Sequence, residues 1–132
     1  MPSVTLQNGT ELISGGVYET RNVVADGNKV RYAYHPIPDP QGITLKLDQS
    51  RLLGSLQFIL YNADDRHFNY YIETSADGEN WRRIIDRTAE ACKSVQTLEF
   101  DPHPVAYIRI VGTYCSEIEY FHIYNFQCPA SC

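Results

Sequence analysis

The chain has 132 residues and a formal net charge of −5 at pH 7, and 43% of its residues are hydrophobic. This length suits one domain with a hydrophobic core, while the acidic balance argues against nucleic acid or anionic lipid as a partner, because both attract clustered Lys and Arg. No stretch approaches the roughly 20 apolar residues of a membrane-spanning helix, and the first residues lack the pattern of a secretory signal.

The first third of the chain predicts little regular structure before a proline-rich loop. Residues 1–15 are expected to be a tail or a short first strand, residues 17–24 a strand or an extended lead-in, and residues 26–28 (DGN) a turn. Residues 30–42 carry Pro36, Pro38 and Pro40. Because proline has no N–H to donate to a sheet, this segment is predicted to be a loop that projects from the body.

Alternation of apolar and polar residues predicts strands in the rest of the chain. In residues 43–48 we expect Ile43, Leu45 and Leu47 to face the core and the polar residues between them, including Thr44, to face outward. Further strands are predicted over residues 54–61, 68–75, 81–85, 95–100, 105–112 and 120–127. A hairpin turn at 77–78 (DG) joins two of them, residues 101–104 (DPHP) separate two others, and residues 88–94 hold at most one helical turn. About eight short strands predict an all-β sandwich or barrel.

A family resemblance becomes visible in residues 60–83, LYNADDRHFNYYIETSADGENWRR. Supporting motifs are VADG at 24–27 with VRY at 30–32, ACKS at 91–94, and YIRIVGT at 107–113 followed by Phe121-His122. Together these motifs, over residues 16–129, resemble the discoidin domain, also called the factor V/VIII C-type domain. The narrowest resemblance is to the discoidin modules of the BTB/POZ domain-containing protein 9 family. It implies a discoidin-type jelly-roll β-sandwich of about eight antiparallel strands, with residues 130–132 as a C-terminal tail.

Discoidin folds present ligands on loops that gather at one end of the sandwich. Carried onto this sequence, the resemblance implies three such loops: the proline segment, residues 62–67 and residues 114–119. The candidate binding residues are Tyr32, Tyr34, His35, Pro36, Ile37, Asp64, Asp65, Arg66, His67, Tyr114 and Glu117. Among them we expect Tyr34 and His35 to be exposed and to bind. The alternative role of Arg66 is structural: an ion pair with Asp64 or Asp65 would hold the loop in place.

The residues argue against an enzyme, a metal or a cofactor. The chain has no nucleophile elbow, phosphate-binding glycine loop or HExxH pair, its four histidines lie apart in the sequence, and the adjacent Asp64 and Asp65 are expected to point in different directions. Cys128 and Cys132 have no second pair with which to bind zinc. Some carbohydrate-binding relatives hold calcium near the position of Asp26, but one carboxylate is few for calcium, and we favour a plain turn.

The cysteines favour a reducing compartment. Extracellular discoidin domains commonly join their two ends with a disulfide, but this chain has no cysteine before Cys92. We therefore expect Cys92 to be a small buried apolar residue and the other cysteines to be reduced. A cytoplasmic location follows as an expectation.

Loop composition separates the candidate ligands. Membrane-binding relatives expose Trp or Leu with Lys behind, and sugar-binding relatives need an aromatic platform with Arg or Asn donors. Here acidic residues surround Tyr and Arg, which favours protein recognition. The resemblance implies a non-catalytic module of a BTB-domain adaptor for a cullin-3 ubiquitin ligase. The alternatives are an extracellular glycan- or phospholipid-binding discoidin lectin, which a native disulfide would favour, and a purely structural domain.

Overall fold

The computed structural model of the protein describes residues 4–5, 10–21, 29–62 and 64–128. Its strands, numbered in chain order, are β1 (Val4–Thr5), β2 (Glu11–Ser14), β3 (Gly16–Arg21), β4 (Lys29–Pro36), β5 (Ile43–Leu60), β6 (Phe68–Ser75), β7 (Arg82–Cys92), β8 (Val95–Cys115) and β9 (Tyr120–Gln127). All neighbouring strands are antiparallel. The described residues contain these nine strands and no helix, so the prediction of an all-β fold is confirmed. The predicted turn at 26–28 lies outside the described residues.

Two long strands, β5 with 18 residues and β8 with 21, form the centre of the sheet. The strand order is β3-β4-β9-β5-β8-β6-β7, and β2 pairs with the start of β5. Residues 43–46 of β5 pair with 107–110 of β8, and residues 55–59 pair with 95–99, with register shifts between the two blocks. Such irregularities bend strands. The sheet therefore curls into two flanks, one of β3, β4 and β9 and one of β6 and β7.

Two predicted interruptions of strands are wrong, because β5 continues through residues 49–53 and β8 continues through 101–104. Residues 88–92, part of the segment predicted to hold at most one helical turn, belong to β7. Pro102 and Pro104 are exposed, and the register of β5 against β8 shifts close to them, between Leu53 and Ser55. A strand tolerates proline at such a bulge because the ladder hydrogen bonds are already disrupted there.

The core lies between the two flanks. β6 buries every second residue, as its alternating sequence predicts: Phe68, Tyr70, Ile72 and Thr74. The other inward-facing residues include Ile43, Leu45, Leu47, Leu53, Leu56, Phe58, Leu60, Ile108, Ile110, Phe121 and Ile123. The rings of Phe68 and Phe121 meet edge to face with centroids 5.5 Å apart, so β6 and β9 are in contact although they do not pair. Each fully buried side chain of this size contributes about 1.5–3 kcal/mol.

Gly112 provides the space that this core contact needs. A Cβ at Gly112 would lie 2.2 Å from Cγ of Phe121, far inside van der Waals contact. The Phe121 ring therefore packs directly on the backbone of β8, which is a close approach that only glycine permits.

Thr44 differs from the prediction that it faces outward. Its exposed fraction is 4%, because Arg109 lies opposite it in β8 and covers it. The Thr44 hydroxyl donates to the carbonyl of Gln41 over 2.7 Å and accepts from Nε of Arg109 over 3.3 Å. A long cross-strand neighbour thus buries a position that alternation assigns to the surface.

The cysteines in the described part of the chain are free thiols. Cys92, Cys115 and Cys128 are all buried, and burial raises the pKa of Cys92 and of Cys128. Cys132 lies outside the described residues. Within the described residues, no helix has the length and apolarity to cross a bilayer.

Candidate binding surface

Three segments meet at one end of the curled sheet. The backbone N–H of Ile37, just after β4, donates to the carbonyl of Glu119 over 2.8 Å. The N–H of Ser116 donates to the carbonyl of His67, and the N–H of His67 donates to Oγ of Ser116, both over 3.0 Å. We call this end, formed by residues 36–37, 61–62, 64–67 and 114–120, the loop pole.

The proline segment does not project from the body as predicted. Its first part is β4, which pairs with β3 on one side and with β9 on the other up to Pro36. Proline is accepted there because it is the last paired residue of the strand. Ile37 packs against the core, and the chain then returns to β5. On this path the side-chain oxygen of Gln41 accepts from Arg109 over 3.1 Å.

Tyr32 and His35, two predicted binding residues, are buried with exposed fractions of 1% and 0%. The N–H of Gly112 donates to Nε2 of His35 over 2.8 Å, and Nδ1 of His35 lies 2.8 Å from the carbonyl oxygen of Pro36. Since Nε2 accepts, the ring is neutral and its proton is on Nδ1. Burial lowers the pKa of His35, which favours this neutral form. The expectation that His35 is an exposed binding residue is therefore wrong: it ties β4 to β8.

Arg66 is held by Asp64 and not by Asp65. Its Nε donates to Oδ1 of Asp64 over 2.8 Å and its Nη2 to Oδ2 over 2.6 Å, and its backbone N–H donates to Oδ1 over 3.0 Å. The side-chain hydrogen bonds from Arg66 lower the pKa of Asp64 to about 2. The guanidinium also lies over the ring of Tyr61, 4.2 Å from its centroid. The pair staples residues 64–66 onto the end of β5 and leaves Asp65 exposed.

A cluster of aromatic rings covers the outer face of the β3-β4-β9 flank. His122 is at its centre, with ring centroids 5.7 Å from Tyr18, 5.8 Å from Tyr61 and 6.1 Å from both Tyr34 and Tyr120. Tyr32 and Tyr124 complete the cluster, with their own centroids 5.1 Å apart. The cluster was not predicted, although β9 carries a sequence signal for it: Tyr120, His122 and Tyr124 alternate with core residues.

His122 is an uncharged member of this cluster at neutral pH. Its Nδ1 is hydrogen-bonded to the hydroxyl of Tyr18 at 3.1 Å, and its Nε2 is buried without a partner. Burial lowers its pKa from 6.5 to about 4, with a smaller contribution from the positive charge of Arg66.

The exposed part of the loop pole is apolar with an acidic border. Tyr114 is 48% exposed, Ile118 40% and Tyr120 44%, and the half-buried Tyr34 lies beside Tyr120 with centroids 6.1 Å apart. We call Ile118, Tyr120, the adjoining Tyr34 of β4 and Tyr114 the tyrosine patch; Tyr114 is on the β8 side of the pole, where its ring centroid lies 5.7 Å from that of His67. The border of the patch consists of exposed acidic residues that have no ion pair among the described residues: Asp65, Glu117 and Glu119. Tyr34, Tyr114, Asp65 and Glu117 are among the predicted binding residues, whereas Ile118 and Tyr120 were not predicted.

The loop pole has no arrangement suited to a metal. In the parts of the chain that the structure describes, no three His, Cys, Asp or Glu side chains come close enough to hold an ion. The predicted turn at Asp26, the remaining calcium candidate, lies outside these parts.

The F5/8 type C domain model matches residues 7–124. The chain belongs to this family. BTB/POZ domain-containing protein 9 of Drosophila melanogaster is 36% identical over 124 residues, which cover 89% of this chain and 17% of that protein. The Homo sapiens protein of the same name is 35% identical over 120 residues, with 86% and 19% covered. This discoidin domain therefore spans about a fifth or less of the length of the relatives it matches, and the family resemblance predicted from its motifs is confirmed.

Solved structures confirm the discoidin-type fold. A structure described as CBM32 of AlyQ in complex with 4,5-unsaturated mannuronic acid superposes with a TM-score of 0.63 at 14% identity, covering 91% of this chain and 98% of the other. The CpGH89CBM32-6 module produced by Clostridium perfringens gives 0.61 at 13% identity, with 92% of each chain covered. Likeness at these identities establishes the fold alone. The domain is a binding module by family.

Proposed function

We propose that this discoidin domain is a non-catalytic, intracellular protein-interaction module that recruits a protein partner through the tyrosine patch. The observation that carries the proposal is the exposure of Tyr114, Ile118 and Tyr120 together at one end of the sheet. Tyrosine is enriched among the residues that dominate binding at protein interfaces, and exposed apolar clusters with a polar border are typical of interaction sites.

The setting of the patch supports a role in recognition. Hydrogen bonds from Ile37 to Glu119 and between Ser116 and His67 hold both ends of residues 116–119. A segment fixed in this way loses little conformational entropy when a partner binds. The sheet supplies a rigid scaffold, on which surface residues can differ without a cost to the core.

The second part of the proposal concerns the longer chain. Similarity to BTB/POZ domain-containing protein 9 over 86–89% of this domain supports a place in a BTB-domain adaptor of a cullin-3 ubiquitin ligase. In such a chain the BTB domain would bind the ligase and this domain would bind the substrate. Co-precipitation of cullin-3 by the full chain, and its loss when the BTB domain is deleted, tests this part.

A glycan ligand is the competing candidate because the CBM32 modules share the fold. The position of Trp81 argues against a sugar-binding site at the loop pole. Trp81 follows the turn at the far end of β6, an eight-residue strand that spans about 25 Å, and the guanidinium of Arg109 covers its ring at 3.9 Å. A sugar at the loop pole would have to stack on tyrosine instead.

Affinity capture from cell lysate with the immobilised domain tests the recognition role. We expect Tyr34→Ala/Tyr120→Ala to lose proteins that the wild type retains, while the control Tyr71→Ala keeps them. Tyr71 is a half-buried tyrosine on the other flank, beneath Arg83 at 3.8 Å. Unchanged thermal midpoints would show that the variants fold. Equal recovery by wild type and patch variant would contradict the proposal, and binding on a glycan array that the patch variant loses would favour the carbohydrate alternative.

A further inference from the structure

We propose that the tyrosine patch binds a basic segment of the partner, in which one apolar side chain lies between Lys or Arg residues. The inference rests on the proposed function and names the chemistry of the partner. It starts from the 116–119 bend, where the exposed Ile118 stands between two exposed carboxylates, Glu117 and Glu119. An acidic–apolar–acidic surface is complementary to a basic–apolar–basic segment.

The charges around the bend also favour a basic partner. Arg66 is the one Lys or Arg among the residues that define the loop pole, and both oxygens of Asp64 accept hydrogen bonds from its guanidinium. Its charge is therefore largely cancelled. Asp65, Glu117 and Glu119 have no such partner in the described residues. The uncompensated field at the patch is negative, so it attracts cations and repels an anionic lipid surface.

The apolar residues of the patch provide a contact surface for the apolar side chain of the partner. Ile118 and Tyr120 lie within three positions of the chain and are 40% and 44% exposed. The rings of Tyr34 and Tyr120 are adjacent, and aromatic faces also attract Lys and Arg. One apolar side chain of a partner can cover Ile118 while its basic neighbours meet the carboxylates and the tyrosine rings.

The backbone of the bend holds these groups in place before binding. Glu119 accepts from Ile37 through its carbonyl, and Ser116 exchanges two hydrogen bonds with His67. The side chains of Glu117, Ile118 and Glu119 thus project from a bend that is fixed at both ends. A preformed surface of this kind favours a short linear segment, because the binding energy is not spent on ordering the domain.

Fluorescence anisotropy with labelled five-residue peptides tests the inference. The probes are Arg-Lys-Leu-Lys-Arg, the same peptide with Ser in place of Leu, and Glu-Glu-Leu-Glu-Glu. We expect the first to bind most tightly, the second several-fold more weakly, and the acidic peptide not at all. The affinity for the first should fall between about 50 and about 300 mM salt, since exposed ion pairs are screened.

Matched charge variants of the domain locate the site. Glu117→Lys/Glu119→Lys should weaken binding of the first peptide about tenfold or more, and Ile118→Ser several-fold. The control Glu79→Lys/Glu99→Lys makes the same change in net charge at exposed positions outside the loop pole and should leave binding nearly unchanged. Equal losses in both charge variants would show attraction by net charge alone and would overturn the inference.

Two further outcomes separate this inference from the proposed function. If Tyr34→Ala/Tyr120→Ala loses captured proteins but the basic peptide does not bind, the inference is wrong and the proposed function stands. If the capture is unchanged, the proposed function fails. Binding to vesicles of phosphatidylserine that Ile118→Ser abolishes and Glu117→Lys/Glu119→Lys increases would assign the patch to membranes instead and overturn the inference.

Discussion

Mild acid should destabilise this domain through its buried histidines, and His122 allows the size of the effect to be worked out. Its pKa is about 4 in the folded protein and 6.5 when free. Between these values the unfolded chain binds a proton that the folded protein does not. The free energy of unfolding therefore falls as pH decreases from 6.5 to 4, and the total loss from His122 is about 3 kcal/mol. His35, whose pKa is also lowered, adds a loss of the same sign.

The groups that face His122 explain why it stays neutral in this range. Tyr18 of β3, Tyr34 of β4 and Tyr120 of β9 surround it with aromatic rings that exclude water. After burial, the positive charge of Arg66 and then that of a protonated His35 lower the pKa of His122, because each disfavours a second cation nearby. The lowered pKa of Asp64 has its effect in a different range, because stability that depends on its carboxylate is lost only below 3.8.

Urea unfolding followed by Trp81 fluorescence, at constant ionic strength between about pH 7 and about pH 4, measures this loss. The variant His122→Phe/Tyr18→Phe keeps the ring packing and removes the titrating group. It should lose about 3 kcal/mol less than the wild type over this range. The control Tyr18→Phe keeps His122 and should follow the wild type. Parallel pH profiles for the wild type and the double variant would refute the assignment of acid sensitivity to His122.

Three further predictions concern other parts of the molecule. Gly112→Ala should destabilise the domain by at least about 2 kcal/mol in urea unfolding, because its Cβ would overlap the ring of Phe121; a loss below about 0.5 kcal/mol would contradict this packing. Asp64→Asn should release the clamp on Arg66, which would speed hydrogen exchange at residues 64–67 while changing global stability by less than about 1 kcal/mol. Burial raises the pKa of Tyr18 to about 12 from its usual 10, so stability should fall as pH rises from 10 to 12, and Tyr18→Phe should reduce this fall in alkaline unfolding experiments.

Strands could be predicted from the sequence where their signals are local. The predicted strands at 68–75 and 120–127 coincide with β6 and β9, because their alternation continues without interruption. Prediction failed where a distant partner changes the meaning of a residue. Charged residues at 48–51 and the prolines at 102 and 104 indicate loops, but both strands continue there, and Arg51, Leu52 and Leu53 pair with residues 103–105 between two register shifts.

On the candidate surface, too, prediction failed where a distant partner determines the environment of a residue. A histidine before a proline resembles an exposed loop residue, and only the N–H of Gly112, 77 positions further on, makes His35 a core residue. Tyr120 was missed because it begins the predicted strand 120–127, and Ile118 was missed within the predicted 114–119 loop because it is the apolar residue between two charged ones. Their exposure depends on how β4 and the 62–67 segment pack beside them. The alternation of apolar and polar residues along one strand carries no information about this packing.

The continuity of β5 and β8 has a consequence for how the domain can be taken apart. β5 pairs with β9 of one flank, β8 pairs with β6 of the other, and the two long strands pair with each other. A cut or an inserted linker within either strand would therefore disrupt the connection between the two layers. The domain should therefore unfold in one cooperative step, and fragments divided within residues 43–60 or 95–115 should not fold by themselves. A permissive place for an inserted tag or a new chain terminus is the 76–80 turn, which joins only β6 to β7 and lies far from the loop pole.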